Sequence, residues 1–307
     1  MPEQSEHPEF KLWDEITKAI SFHMTPRLLP VLQEAYGKVY PPGTSIQLLS
    51  TEHSTYFEDP AGSLSSKLMD IAVLVAGTDY YHIESQMDND RHMVIRMVAY
   101  DFHFAVLHDT TRNEDTGEYI LHFPHSVVIY PEKNSTVPHR LRCQLIFPDG
   151  SHHVYQIPTI RIQTYSLEDI AQKHLDFFIP FSLLRFRPRL KSLRDPLSAE
   201  ELTEFVKRLI LILQNEVAEG ILTQLECNDY INLLNKASAH IFKKCPAHHE
   251  EVLKVTEPMI KLPSVEMREL RETLAQNETA LSQKDAIIAR DKAYIAELEQ
   301  KLAALQA

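Results

Sequence analysis

Glycine is scarce in this chain, at seven among 307 residues. No glycine-rich phosphate-binding loop occurs, which speaks against nucleotide-dependent chemistry. Cysteine is scarcer still. Cys143, Cys227 and Cys245 lie far apart and are odd in number, which excludes a disulfide framework and fits a reducing compartment. Long apolar runs are also missing. The longest aliphatic stretches, Ile71 to Ala76 and Leu209 to Leu213, are far too short to span a bilayer, so no membrane partner is expected. The opening MPEQSEHPEF is acidic and lacks the basic-then-apolar order of a secretory signal, so a cytoplasmic location is expected. No serine-hydrolase elbow, internal repeat or low-complexity tract occurs.

What the chain does contain is core-forming material: 44% of its residues are hydrophobic, enough to bury a sizeable interior. The formal net charge of −12 argues against a nucleic-acid partner, because phosphate contacts need Lys and Arg. A local strip can override that average. Arg185, Arg187, Arg189 and Lys191 fall in a stretch without acids, and Arg194 follows. This strip is a candidate DNA-binding surface; equally, it can be an exposed connector whose charges are solvated.

Three regions are expected: residues 1–195, 196–262 and 263–307. From Leu12 to Gly37 the pattern is helical with interruptions, and Gly37 with Pro41-Pro42-Gly43 ends it. Residues 47–165 read as strand-rich with one strong helix. They include two hairpin-like units, KLMDIAVLVAGTDYYHIESQ and RLRCQLIFPDGSHHVYQI, the second turned at Pro148-Asp149-Gly150. Beyond Asp195-Pro196, Ser198 and Glu201 form a capping-box pattern ahead of a long helix that ends at Gly220, and another helix spans about 222–242. In the last region Met267, Leu274, Leu281, Ile288, Ile295 and Leu302 recur every seven residues, with Leu270, Leu298 and Leu305 at complementary positions. That seam predicts a coiled coil and a homo-oligomer, despite polar Asn277, Lys284 and Asp291 in its middle. The alternative is a single solvated helix.

The first hairpin can be read geometrically. Met69, Ile71, Val73 and Val75 alternate with Leu68, Asp70, Ala72 and Leu74, and on the return Tyr81, Ile83 and Met87 alternate with Tyr80, His82, Glu84 and Gln86. A turn centred on Gly77 makes residues whose numbers sum to 154 cross-strand neighbours. Asp70 then stands opposite Glu84 with Cβ atoms ~5 Å apart, and His82 and Gln86 share that face. Two like charges so placed need a compensator. A divalent cation with oxygen ligands suits them, Mg²⁺ above all, since it takes only one or two carboxylates plus waters and phosphate. The competing reading is a solvated sheet face without function.

An acid at one strand, HIESQ (His82 to Gln86) on the next, and IRMVAY with Arg96 and Tyr100 on a following helix resemble the recombination-promoting, transposase-like branch of the PD-(D/E)XK nuclease superfamily. SVVIYPEKN (Ser126 to Asn134) is similar to its next core strand and loop, and FFIPFSLLRF (Phe177 to Phe186) to the segment that closes its domain; the resemblance covers roughly residues 10–190. It implies a restriction-endonuclease-like α/β fold, a mixed sheet flanked by helices, and DNA cleavage assisted by Mg²⁺ or Mn²⁺. Asp70, Glu84 and the backbone carbonyl of Ser85 would hold the metal, with Gln86 orienting the attacking water. The branch often adds an acid from the first helix, here Glu34, with Glu15 and Glu52 as rivals. Two positions depart from the pattern: Met69 stands where the superfamily's name has proline, and neutral Gln86 where many relatives have lysine. Arg96 and Tyr100, four apart on one helix face, can support the site by bridging carboxylate and phosphate, or can pin the helix to the sheet.

Among the sixteen histidines, the His240, Cys245, His248 and His249 group has no second ligand pair at zinc spacing and reads as helix-end residues, as His152-His153 reads as a turn flank. Three functions remain: a metal-dependent DNA endonuclease, a non-catalytic DNA- or protein-binding oligomer, and an assembly protein whose coiled coil is the function. Metal affinity separates the first from the others, and salt-dependent DNA binding separates the second from the third.

Overall fold

The hairpin at Gly77 forms in the expected register and seeds the main sheet. Ala76 and Gly77 both take positive φ (54° and 72°), a left-handed turn that glycine adopts without cost and that matches strand twist. The computed structural model describes residues 8–49, 56–58, 64–66, 70–132, 135–192 and 194–260. The heptad segment from Met267 to Leu302 and Glu52 lie outside the described residues.

The first helices are α1 (Pro8–His23) and α2 (Leu28–Tyr36), joined by a 3-10 turn at Thr25–Arg27. The strands that follow are β1 (Ile46–Leu48), β2 (Tyr56–Glu58), β3 (Leu64–Ser66), β4 (Ile71–Val75) and β5 (Asp79–Ser85). Helix α3 (Met93–His108) leads to a small hairpin, β6 (Thr110–Arg112) and β7 (Tyr119–Leu121), and then to β8 (His125–Tyr130), β9 (Arg140–Ile146) and β10 (His152–Arg161). A six-stranded mixed sheet runs in the order β1-β4-β5-β8-β10-β9. Its β5–β8 and β8–β10 pairs are parallel and its other pairs antiparallel. The second expected hairpin, β9–β10, closes at Gly150, whose N–H donates to the Phe147 carbonyl at 2.9 Å.

The central strands are covered on both faces, and strand alternation decides what meets what. Tyr81 points to α2, where its ring meets Tyr36 at 5.7 Å; Tyr80 points the other way, to Phe104 of α3 at 5.5 Å. On the α3 side, Met93, Met97 and Tyr100 pack with Val128, Tyr130, Leu141 and Ile157 into one apolar cluster. Three polar side chains are buried among these strands: His82, Glu84 and Ser126. Each needs a partner inside the protein.

After β10 come α4 (Leu167–Gln172), short 3-10 segments at Asp176–Phe178 and Ser182–Lys191, then α5 (Ala199–Ala218), α6 (Gln224–Ile241) and α7 (Pro246–Thr256). The expected capping box at α5 forms by half. Ser198 accepts from the Glu201 N–H at 3.1 Å, but the Glu201 carboxylate turns to Arg189 at 2.8 Å. At α6 the box is complete, between Thr223 and Glu226. Helix α7, which the sequence reading did not delimit, carries His248 and His249 as packing residues. His249 Nδ1 lies 2.9 Å from Ser238 Oγ, and His248 Nε2 lies 3.1 Å from the Leu197 carbonyl. Trp13 of α1 joins these helices to the 3-10 segment, with its ring 5.8 Å from His240 and 5.9 Å from Phe181. Residues 1–257 form one compact unit and 258–307 a second. Among the described residues no helix is long and apolar enough to cross a membrane.

Candidate active site

Register brings Ile71 opposite Ile83 and Ala72 opposite His82, so Asp70 and Glu84 face each other one step further along. They are clamped reciprocally. The Asp70 N–H donates to Glu84 Oε1 at 3.1 Å, and the Ser85 N–H donates to Asp70 Oδ2 at 2.9 Å. Glu84 is fully buried and Asp70 half-buried. Burial pushes the Asp70 carboxyl up to about 7, and the facing Glu84 charge adds to the rise.

Behind this pair stands an enclosed relay. His82 Nε2 lies 3.1 Å from Glu84 Oε1, and its Nδ1 lies 2.7 Å from Asp101 Oδ1 on α3. Burial alone would lower the His82 pKa, but Asp101 and Glu84 on its two ring nitrogens raise it to about 10. The imidazole is therefore a cation held between two carboxylates. Asp101 also accepts from Ser126 Oγ at 2.6 Å and from the Tyr155 hydroxyl. All three buried polar side chains of the central strands are thereby satisfied.

At the open side stands Arg96. One guanidinium nitrogen lies 3.8 Å from Glu84 Oε2 and another donates to Asp90 Oδ2 at 3.1 Å, with the group 5.8 Å from the Tyr100 ring centre. Tyr100 is buried, its hydroxyl interacts with the Arg96 guanidinium, and its ring lies 5.9 Å from His82. From α1, Asp14 and Lys18 form an ion pair of 2.8 Å. The Asp14 charge helps to raise Asp70, and Lys18 feels both Asp70 and Glu84. The arrangement gathers an oxygen-rich pair, a rim of two cations and a buried phenol beside one of them.

The sequence-derived site residues are brought together in part. Asp70, Glu84, Ser85, Arg96 and Tyr100 converge. Gln86 follows on β5, half-buried, with its N–H donating to the Ile129 carbonyl at 2.8 Å. Glu34 does not join them, because its carboxylate is held by Lys173 at 2.8 Å and Tyr165 at 3.0 Å. Glu15 is exposed. The first-helix acid whose charge is felt at the pair is its neighbour Asp14, a position signalled only by the Asp14/Lys18 spacing of four along α1. Asp101 had a signal too, as the one acid on the apolar face of α3.

The basic strip is largely consumed inside the protein. Arg185 lies over the Phe205 ring at 4.7 Å, Arg187 donates to both Glu132 oxygens at 3.0 and 2.9 Å, and Arg189 pairs with Glu201 and Asp195. Arg194 is exposed, and the side chain of Lys191 lies outside the described residues. Local sequence could not reveal this, because Glu132 and Phe205 are distant along the chain.

Among the described residues no three His, Cys, Asp or Glu side chains are gathered to hold a metal ion. The donor chemistry of Asp70 and Glu84 nevertheless fits Mg²⁺, which asks for one or two carboxylates and completes its shell with water and phosphate. No family model, curated protein or solved structure matches this chain.

Proposed function

We propose that this chain is a metal-dependent DNA endonuclease of the recombination-promoting, transposase-like type, built on the PD-(D/E)XK fold. The observation that carries the reading is the Asp70–Glu84 clamp, two carboxyls held together beside a rim of cations. Asp70, Glu84 and the Ser85 carbonyl would hold Mg²⁺ or Mn²⁺, which when bound supplies an activated water and neutralises charge gathering on the scissile phosphate. His82 fixes the Glu84 carboxylate from behind, and Asp101 fixes His82. Arg96 and Lys18 offer the positive charge that neutral Gln86 cannot, and Gln86 orients water through its amide. DNA approaches over this rim rather than along residues 185–189, whose guanidinium groups already have protein partners. In this reading the protein is cytoplasmic, and its 263–307 segment pairs two copies as a coiled coil, which suits cutting both strands.

A second reading, a non-catalytic binding module for DNA or protein, has one observation in its favour. Without any metal, Glu84 already meets the Asp70 N–H, His82 and Arg96, so the network is satisfied by protein alone. Plasmid cleavage with Mg²⁺ or Mn²⁺ separates the two. Nicking or linearisation that disappears in Glu84→Ala and in EDTA supports the nuclease. A folded wild-type protein that never cuts supports the binding module.

A further inference from the structure

Helix α3 is apolar on nearly every side, and such a helix is normally covered on every side. Here only one side is. Met93, Met97, Tyr100 and Phe104 pack against the sheet, whereas Ile95, Phe102 and Val106 are 56%, 50% and 46% exposed. With Ala99 these residues fall at steps of four, three and four, the spacing of a seam between paired helices. Hairpin β6–β7 extends the face with exposed Tyr119 and Ile120, and Phe123 meets Phe102 at 6.4 Å between ring centres. Both charged residues of α3 turn away from it: Asp101 to His82, and Arg96 to Asp90 and Glu84. Contiguous exposed apolar surface of this kind marks an interaction site.

We infer that this face docks against the same face of a second copy, α3 on α3, in a two-fold contact. The α3 stripe Ile95, Ala99, Phe102 and Val106 carries no charged side chain, exposed Arg112 lies over Tyr119 only at the hairpin edge, and the chain has a net charge of −12, which together disfavour nucleic acid or an anionic membrane as its cover. An uncharged, self-complementary stripe is what an isologous contact uses. The chain beyond residue 260 supplies the reason for a second copy, and here the inference rests on the proposed pairing of the 263–307 heptads. Tethering of that kind holds a second α3 at an effective concentration of about a millimolar, where a modest apolar contact closes. The opposite side of the same helix carries Arg96, Tyr100 and Asp101, so pairing through α3 would hold two Asp70–Glu84 sites at one fixed spacing.

The test is sedimentation of the full-length chain at micromolar concentrations. It compares wild type, the face variant Phe102→Glu/Val106→Glu, the tail variant Leu281→Pro/Ile288→Pro, and their combination. Both face positions are half-exposed, so circular dichroism should stay unchanged. The expected result is a wild-type dimer, a face variant whose dimer Kd rises at least about tenfold, and slower hydrogen exchange across 95–107 at high than at low protein concentration. A dimer that survives the tail substitutions but not the added face substitutions supports the α3 contact and removes the tail reading. A dimer lost with the tail alone and indifferent to the face substitutions overturns the α3 contact and leaves the tail reading standing. Exchange across 95–107 that is independent of concentration, or that slows only on adding anionic vesicles, also overturns it.

Discussion

Asp70 with Glu84 and Asp176 with Glu216 are two carboxyl pairs pressed together under cover, and their surroundings set them apart. Asp176, in the 3-10 turn at 176–178, is fully buried, and among the described residues neither of its carboxyl oxygens meets an N–H or hydroxyl donor. Glu216 of α5 faces it and takes His174 Nδ1 at 2.9 Å on its other side. The Tyr230 hydroxyl is buried beside them with no hydrogen-bond partner among the described residues, and Arg27 lies 3.7 Å from Glu226 nearby. Burial first, then the hydrogen bond with Glu216 and its charge, push Asp176 well above the carboxylate range. A proton shared between the two acids supplies the donor that the pair lacks. Asp70 is raised by burial and by the facing Glu84 charge, but its Oδ2 already accepts from the Ser85 N–H and a rim of Arg96 and Lys18 stands beside it. A raised carboxyl is thus a mark of burial. Open access and neighbouring cations distinguish a site from a sealed structural contact.

The largest expected effect tests that distinction directly. Glu84→Ala should lower DNA cleavage by at least about a hundredfold, since a lost metal ligand removes several kcal/mol of transition-state stabilisation. Asp176→Asn should leave the rate within about twofold, and equal losses in two folded variants would erase the contrast. Next in size is the relay behind the first pair. Asp101→Ala leaves the buried His82 with Glu84 alone, its Nδ1 without a partner, and strands Ser126 and Tyr155, so urea denaturation should show a loss of about 3–5 kcal/mol. A loss below about 1 kcal/mol would mean that the relay is not charged.

A smaller effect concerns ligand linkage. Mg²⁺ at about a hundredfold excess over its Kd should stabilise the wild-type chain by about 2.7 kcal/mol in thermal unfolding, and should leave Asp70→Asn unmoved. Stabilisation that persists in Asp70→Asn but vanishes in Asp176→Asn would exchange the roles of the two pairs. The smallest effect is a pH dependence. The folded Asp176 carboxyl holds its proton more tightly than the unfolded one. Between its ordinary value of 3.8 and its raised value, the native state therefore binds a proton that the unfolded state has lost. Stability falls as pH rises through that window, by about 1.4 kcal/mol for each unit of elevation. Asp176→Asn should flatten that slope between pH 4 and the raised value, giving a more stable protein at pH 8. An unchanged slope would show that the pair shares no proton. Arg27, Glu226, Tyr230 and His174 face the pair and remain constant in this comparison.

Much of the site was legible because hairpins are local. Alternation and a glycine at position 77 are sufficient to put Asp70 opposite Glu84, and the register found, Ile71 with Ile83, follows the same sum. The capping residue Ser198 likewise marks where α5 begins. Glu34 and the strip at 185–189 were misplaced for the opposite reason. Their fates depend on Lys173, Tyr165, Glu132 and Phe205, whose approach no period or turn encodes.

The sequence by itself determined the elements, the hairpin register and the pairing of the two acids. These depend on backbone period, turn chemistry and caps, which act over a few residues. Only the tertiary structure decided which acid of α1 is felt at the pair, that His82 is held as a cation between Glu84 and Asp101, and that three arginines serve the protein's own carboxylates and rings. It also decided that one side of α3 stays open. Those outcomes depend on burial and on partners far apart in the chain, where desolvation selects among charges that look alike in sequence.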